Sequence, residues 1–161
     1  MIGPASSRLE ARQFLPDDPA RRVRIGDLLR AAGIELAVVH GSRVRGGARP
    51  DSDLDVALLA ADTRPLSYAA MGRLALDLSK ELSARVDVSD LATPDAIFRF
   101  EVAGCARLLF QDRPDAFTDF LAKAMIDYSD IQRFIPELIA GVARGRRRLS
   151  EVESPGGEDD R

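Results

Sequence analysis

The chain is poor in the residues on which several kinds of chemistry depend: it has one cysteine, Cys105, one histidine, His40, and no tryptophan. A single cysteine excludes an intramolecular disulfide framework and a cysteine-based zinc site, and it fits a reducing compartment. No apolar run reaches the length that crosses a bilayer, and the N-terminus has no apolar signal segment, so a cytoplasmic protein is expected. Positive charge is not in excess. The 23 lysines and arginines face 26 aspartates and glutamates, giving a net charge of −3 and a pI of about 5.3. No global positive field draws nucleic acid to such a chain, so a polymeric acceptor would need a local basic patch. At 161 residues the length is that of one domain with a sizeable core.

What the chain does carry is concentrated between His40 and Leu59, HGSRVRGGARPDSDLDVALL. Gly41-Ser42 opens this stretch and Asp53-Leu54-Asp55 closes it, with ten residues between Ser42 and Asp53 and apolar runs on either side. The pattern reads as strand, glycine-rich turn, strand. A side-chain period of two puts Asp53 and Asp55 on one face and sends Leu54, Val56 and Leu58 the other way into a core. Two carboxylates a pleat apart repel unless a cation lies between them, and hard oxygen donors without cysteine or histidine suit Mg2+ better than zinc. The turn supplies a matching anion site. Gly41 permits close backbone approach, Ser42 offers a hydroxyl, and a short helix starting near Ser42 aims free N–H groups at an anion such as triphosphate. The plainer reading is a hairpin-like turn with a solvated acidic strand start. The apolar flanks and a third carboxylate weigh against it.

That carboxylate is Asp87, in the segment ARVDVSDL from Ala84 to Leu91. Val86 and Val88 take one face and Asp87 and Ser89 the other, which sets an acid in the middle of a strand that looks buried. Asp90 reads as a turn or cap residue.

Gly41-Ser42, followed by Ser52-Asp53-Leu54-Asp55 and Val56-Ala57-Leu58, resembles the signature of the DNA polymerase beta nucleotidyltransferase superfamily. The compact size is most similar to its minimal nucleotidyltransferases. The resemblance implies an α/β fold: a small mixed sheet of the nucleotidyltransferase palm type with flanking helices and a C-terminal helical extension. It implies that the Gly41-Ser42 turn, with Arg43 beside it, holds the β- and γ-phosphates of ATP. Asp53 and Asp55 would bind two Mg2+ ions, and Asp87, placed after a crossover helix, would complete the metal triad. The chain looks most like the MNT antitoxins of HEPN–MNT toxin–antitoxin pairs. Such a protein moves AMP from ATP to a tyrosine hydroxyl of its HEPN ribonuclease partner and so silences it. Two other functions compete with this one, a small-molecule transferase similar to aminoglycoside nucleotidyltransferases and a non-catalytic antitoxin that acts by binding alone. The length leaves no room for an added template-binding or tRNA-binding domain, so nucleic acid is not expected as the direct substrate.

Four segments are expected along the chain: a poorly ordered lead-in over 1–19, the nucleotidyltransferase domain over 20–112, C-terminal helices over 113–149 and a disordered tail over 150–161. Helices are read from Ala20 to Ala32, ended by Gly33, from Ser67 to Ser83 on the stripe Met71, Leu74, Leu78 and Leu82, and from Pro94 to Gly104 on Ile97, Phe98 and Val102. Strands are read at Glu35 to His40 and Arg107 to Phe110. From Phe117 onward, Phe120, Leu121, Ala124, Met125, Tyr128, Ile131, Ile135, Leu138, Ile139 and Val142 recur at three- and four-residue steps. This is one long helix or a helix pair, which Pro136 would kink or divide near Arg133 to Ile135. Its stripe is either core or a surface for self-association or a protein partner. Three other features have two readings each. Arg43, Arg45 and Arg49 neutralise triphosphate or face water; His40 contacts the phosphate region or is a hydrogen-bonded strand-end histidine; and Arg144 to Arg148 complements a helix dipole or touches RNA.

Overall fold

The computed structural model describes residues 14–46 and 52–152, without the side chains of residues 138 and 142–152. Most of the expected lead-in, Arg49, the tail beyond residue 152 and the side chains of the Arg144 to Arg148 cluster lie outside that range. The elements in order are α1 (Pro19–Ala31), β1 (Ile34–His40), α2 (Ser42–Arg45), β2 (Leu54–Ala60), α3 (Tyr68–Leu82), β3 (Val86–Asp90), α4 (Ala96–Cys105), β4 (Arg107–Gln111) and α5 (Ala116–Val152).

Local chemistry sets the boundaries. The Asp18 side chain accepts from Ala20 N and Pro19 opens α1, while Gly33, at φ +71°, ends it. The Ser67 hydroxyl caps α3 through Ala70 N, and the Asp95 carboxylate caps α4 through Phe98 N. Phe14 and Leu15, inside the stretch read as a lead-in, pack against the core beside α1.

The four strands form one mixed sheet in the order β3-β2-β1-β4. β1 is antiparallel to both neighbours, while β2 and β3 run parallel, as a connection through the crossover helix α3 requires. Both faces are covered. Leu54, Val56 and Leu58 of β2 point as expected into one core, with Val39 and Val86, beneath Ile25 and Leu29 of α1 and Leu74 and Leu78 of α3. The other face, with Leu36, Val38 and Ala57, lies under Val102 of α4 and Ala116, Phe120 and Ala124 of α5.

Two expectations need correction. Asp87 is exposed: β3 is an edge strand, and alternation of side chains looks the same in an edge strand as in a central one. Ile97 is exposed as well, because α4 buries Ala96 and Val102 in its place. The C-terminal stretch is one helix through Pro136, the first of its two readings. Its stripe has two fates. Phe120 and Ala124 are core and Phe117 and Leu121 pack against them, whereas Met125, Phe134, Ile135 and Ile139 further along are exposed.

α4 and α5 are also tied by charge. Asp127 accepts from Arg99 Nη2 and from Lys123 Nζ, each at 3.0 Å, and Tyr128 stacks on Phe100 with centroids 3.9 Å apart. Partial burial works against the Asp127 carboxylate, yet the hydrogen bonds from Lys123 and Arg99 outweigh it and hold its pKa below the ordinary value. A depressed carboxylate pKa stabilises the fold above the unfolded value, and that contribution is lost as pH falls through the folded one. The thermal stability gap between the parent and Asp127→Asn should therefore be present at pH 7 and close as pH falls below about 4. Melting curves across pH check this; a gap that widens in acid would contradict it.

Candidate active site

β1 ends at His40, and the chain then turns sharply. Gly41 has φ +79° and ψ −156°, a conformation open to glycine alone. Space imposes the same choice, because a Cβ here would lie far inside van der Waals distance of Asp55 Oδ2 and 3.0 Å from Asp55 Cγ. The backbone of the turn is thus seated directly on a carboxylate. The single-turn helix α2 follows from Ser42, with Arg45 N bonded to Gly41 O, and Gly46, at φ +79°, ends it. Ser42 is exposed and Arg43 half-buried, both at the mouth of the turn.

Register brings the acids together. His40 pairs with Asp55 across β1 and β2, and Asp55 pairs with Asp87 across β2 and β3, so the three residues form one row across the sheet. Asp55 and Asp87 stand side by side on neighbouring strands. Asp53 lies one pleat before Asp55, outside the strand. Its Oδ1 is 3.3 Å from Arg85 Nε, and Leu54 N donates to Arg85 O at 2.7 Å. Among the described residues no three acidic, histidine or cysteine side chains close around a single point, so a divalent ion would compete with Arg85 for Asp53. The donor set still fits a hard divalent cation. It is all oxygen, and two of its carboxylates occupy adjacent positions on neighbouring strands.

Asp90 does not join the row. Its carboxylate accepts from Leu66 N at 2.7 Å and from Ala92 N at 2.9 Å, the turn role expected for it. His40 is half-buried with Nε2 3.3 Å from Ser89 Oγ. Burial pushes its imidazole below the ordinary pKa; Asp55 pulls upward, Arg45 pushes down and Asp87 pulls upward. Ser89 and Arg85 were not singled out in the sequence. The signal for Arg85 was its place immediately before the strand that carries Asp87.

A small mixed sheet with carboxylates on two parallel neighbours, seated beside a glycine-serine turn, defines a nucleotidyltransferase-type domain. The model of the family described as polymerase beta nucleotidyltransferase matches residues 24–115, more than half of the chain, and the chain belongs to that family. Solved structures agree. A chain of a toxin–antitoxin complex with AMP-PNP is 25% identical with a TM-score of 0.60, covering 77% of this chain and 97% of that one. A chain of a complex between a tri-AMPylated Shewanella oneidensis HEPN toxin and an MNT antitoxin is also 25% identical, with a TM-score of 0.55 and the same coverage. A chain of the MntA–HepT toxin–antitoxin is 24% identical, with a TM-score of 0.56 over 78% of this chain and 99% of that one, a likeness of fold. No curated protein matches the chain. Among the described residues no helix is long and apolar enough to cross a membrane.

Proposed function

We propose that this nucleotidyltransferase is the antitoxin of a toxin–antitoxin pair and moves AMP from ATP to a tyrosine hydroxyl of a HEPN-type toxin, silencing it. The observation that carries this reading is the row of Asp55 beside Asp87, one pleat from Asp53 and directly under the Gly41 turn. The partner reading is supported by the likeness to chains of toxin–antitoxin complexes, one with AMP-PNP and one with a tri-AMPylated HEPN toxin.

In the proposed reaction the turn from Gly41 to Arg43 holds the β- and γ-phosphates, with Ser42 donating its hydroxyl and the guanidinium of Arg43 balancing charge. Asp53, Asp55 and Asp87 would hold two Mg2+ ions, which supply charge stabilisation to the acceptor oxygen and the departing pyrophosphate. The tyrosine oxygen forms a bond to the α-phosphorus, and the bond from that phosphorus to the bridging oxygen breaks. The tyrosine proton passes to Asp87, the most exposed of the three carboxylates, and pyrophosphate leaves with the bonding pair. Positioning and electrostatics supply most of the rate.

The test incubates the chain with ATP, Mg2+ and the protein encoded beside it, and reads the acceptor by intact-mass and peptide mass spectrometry. One or more adenylyl groups on a tyrosine are expected, with loss of the acceptor's ribonuclease activity. A tight complex that silences the ribonuclease without any mass change would overturn the reading in favour of an antitoxin that acts by binding alone. Transfer to an aminoglycoside with none to the protein would place the chain among small-molecule transferases.

A further inference from the structure

The imidazole of His40 does not stay in the row that its backbone occupies. Its Nε2 reaches Ser89 Oγ, and Ser89 belongs to the next row along, opposite Ala57 rather than opposite Asp55. The ring therefore passes diagonally over β2, from β1 on one side to β3 on the other, two strand spacings of together about 9.5 Å. Such a path is open only because the side chain at position 57, directly between Val38 and Ser89 in the register, is a single methyl group. Phe98 of α4 bounds the ring on its far side, edge to face, with centroids 6.0 Å apart. The lone histidine of the chain is thus a strut fitted into a gap.

β3 has reason to need one. It is five residues long, lies at the edge of the sheet and pairs with β2 alone. Edge strands paired on one side open more readily than central ones. Val86 N is held from α3 by Ser79 Oγ at 3.0 Å, and Leu91 N, just past the strand, is held by Leu58 O at 2.8 Å. Between those two ends lies Asp87, with Ser89 next on the same face. A bond from Ser89 to β1, the inner strand beyond β2, reaches past the neighbour and fixes the edge against the middle of the sheet.

We propose that His40 and Ser89 form a brace that sets the edge strand β3, and with it the Asp87 carboxylate, at a fixed place beside Asp55. His40 is then a positioning residue that acts through Ser89. The functional weight of the brace rests on the nucleotidyltransferase reading of the carboxylates; its mechanical part does not.

Two readouts keep those parts separate. The variants are Ser89→Ala, His40→Phe, which retains an aromatic ring and loses the nitrogens, their combination, and His40→Gln, which restores a side-chain donor. Amide hydrogen exchange over residues 87–90 of the protein alone should be about fivefold faster in each single variant. It should be no faster in the double variant, because both changes remove one bond. In steady-state transfer, kcat should fall about tenfold or more. KM for ATP should stay within about twofold, because the Gly41-Ser42 turn is untouched in Ser89→Ala. His40→Gln should recover part of both losses. Unchanged exchange in the two single variants, or effects that multiply in the double, would overturn the brace. A parent chain that transfers nothing overturns the functional reading instead, and the exchange measurement still decides the brace.

Discussion

Replacing Gly41 with alanine should lower nucleotide transfer by about a hundredfold or more and cost about 1–3 kcal/mol of stability. The two losses have separate causes. The stability loss comes from φ +79° and ψ −156°, which an L side chain resists. The activity loss comes from the collision with Asp55, whose carboxylate must move to make room for the new Cβ. Gly46→Ala is the control. That residue also has φ +79°, in the milder left-handed helical region at ψ 9°, and a Cβ there meets nothing within 4 Å, so it carries a smaller backbone strain and no collision. Both variants should shift the urea midpoint, and only Gly41→Ala should lose most of the transfer rate. Equal loss in the two would mean that the turn matters through its backbone alone. Parent-like transfer by Gly41→Ala would show that the turn and Asp55 do not work together.

Asp55→Asn should reduce transfer to the background of the assay, at least about a thousandfold, while melting no lower than the parent in the presence of EDTA. Asp55 occupies the middle of the row, with Asp87 directly beside it on a parallel strand. Like charges opposite one another in a sheet are destabilising, so removing one relieves the strand pair. An amide keeps the shape of the carboxylate and loses the charge that attracts a divalent cation. Higher stability with lost chemistry marks a site held against its own repulsion. Adding Mg2+ and ATP should then raise the melting temperature of the parent and leave that of Asp55→Asn in place. Transfer retained by Asp55→Asn would sink the assignment of this carboxylate. A fall of many degrees in EDTA would show that Asp55 serves the fold before it serves a ligand.

The stretch from Gly41 to Asp55 was legible because two constraints coincide in it. A turn that lets the backbone approach an anion favours glycine, and a period of two sends Leu54, Val56 and Leu58 to the core while the acids face away; that Gly41 also sits against the Asp55 carboxylate is visible only in the structure. Asp87 was legible by alternation within β3, and its position after α3 paired it with Asp55. Its exposure was not, because the apolar neighbours Val86 and Val88 look the same whether a strand is central or at an edge. Ile97 misled for a related reason. Helical spacing fits several faces of a ten-residue segment, and small Ala96 took the buried position that size alone would give to isoleucine. Pro136 removes one backbone donor and crowds the preceding turn, so one long helix and a divided pair were both open; the helix continues through it. That His40 is a hydrogen-bonded strand-end histidine was one of its two readings, and the structure bears it out; its partner Ser89 had no sequence signal, since the bond joins strands that are not neighbours.

The parallel pairing of β2 with β3 governs how the domain comes into being. Asp53 and Asp55 meet Asp87 only after the loop beyond β2 has closed, α3 has docked on the sheet and β3 has returned along the same direction. Closure of so long a connection is an entropic cost met before any of its contacts form. A nascent chain that ends before Val86 holds the complete glycine-serine and double-aspartate pattern and has no Asp87 beside Asp55. On the proposed assignment of Asp87, the chemistry would begin only after the crossover is finished, and a shorter fragment carrying the motif would lack it.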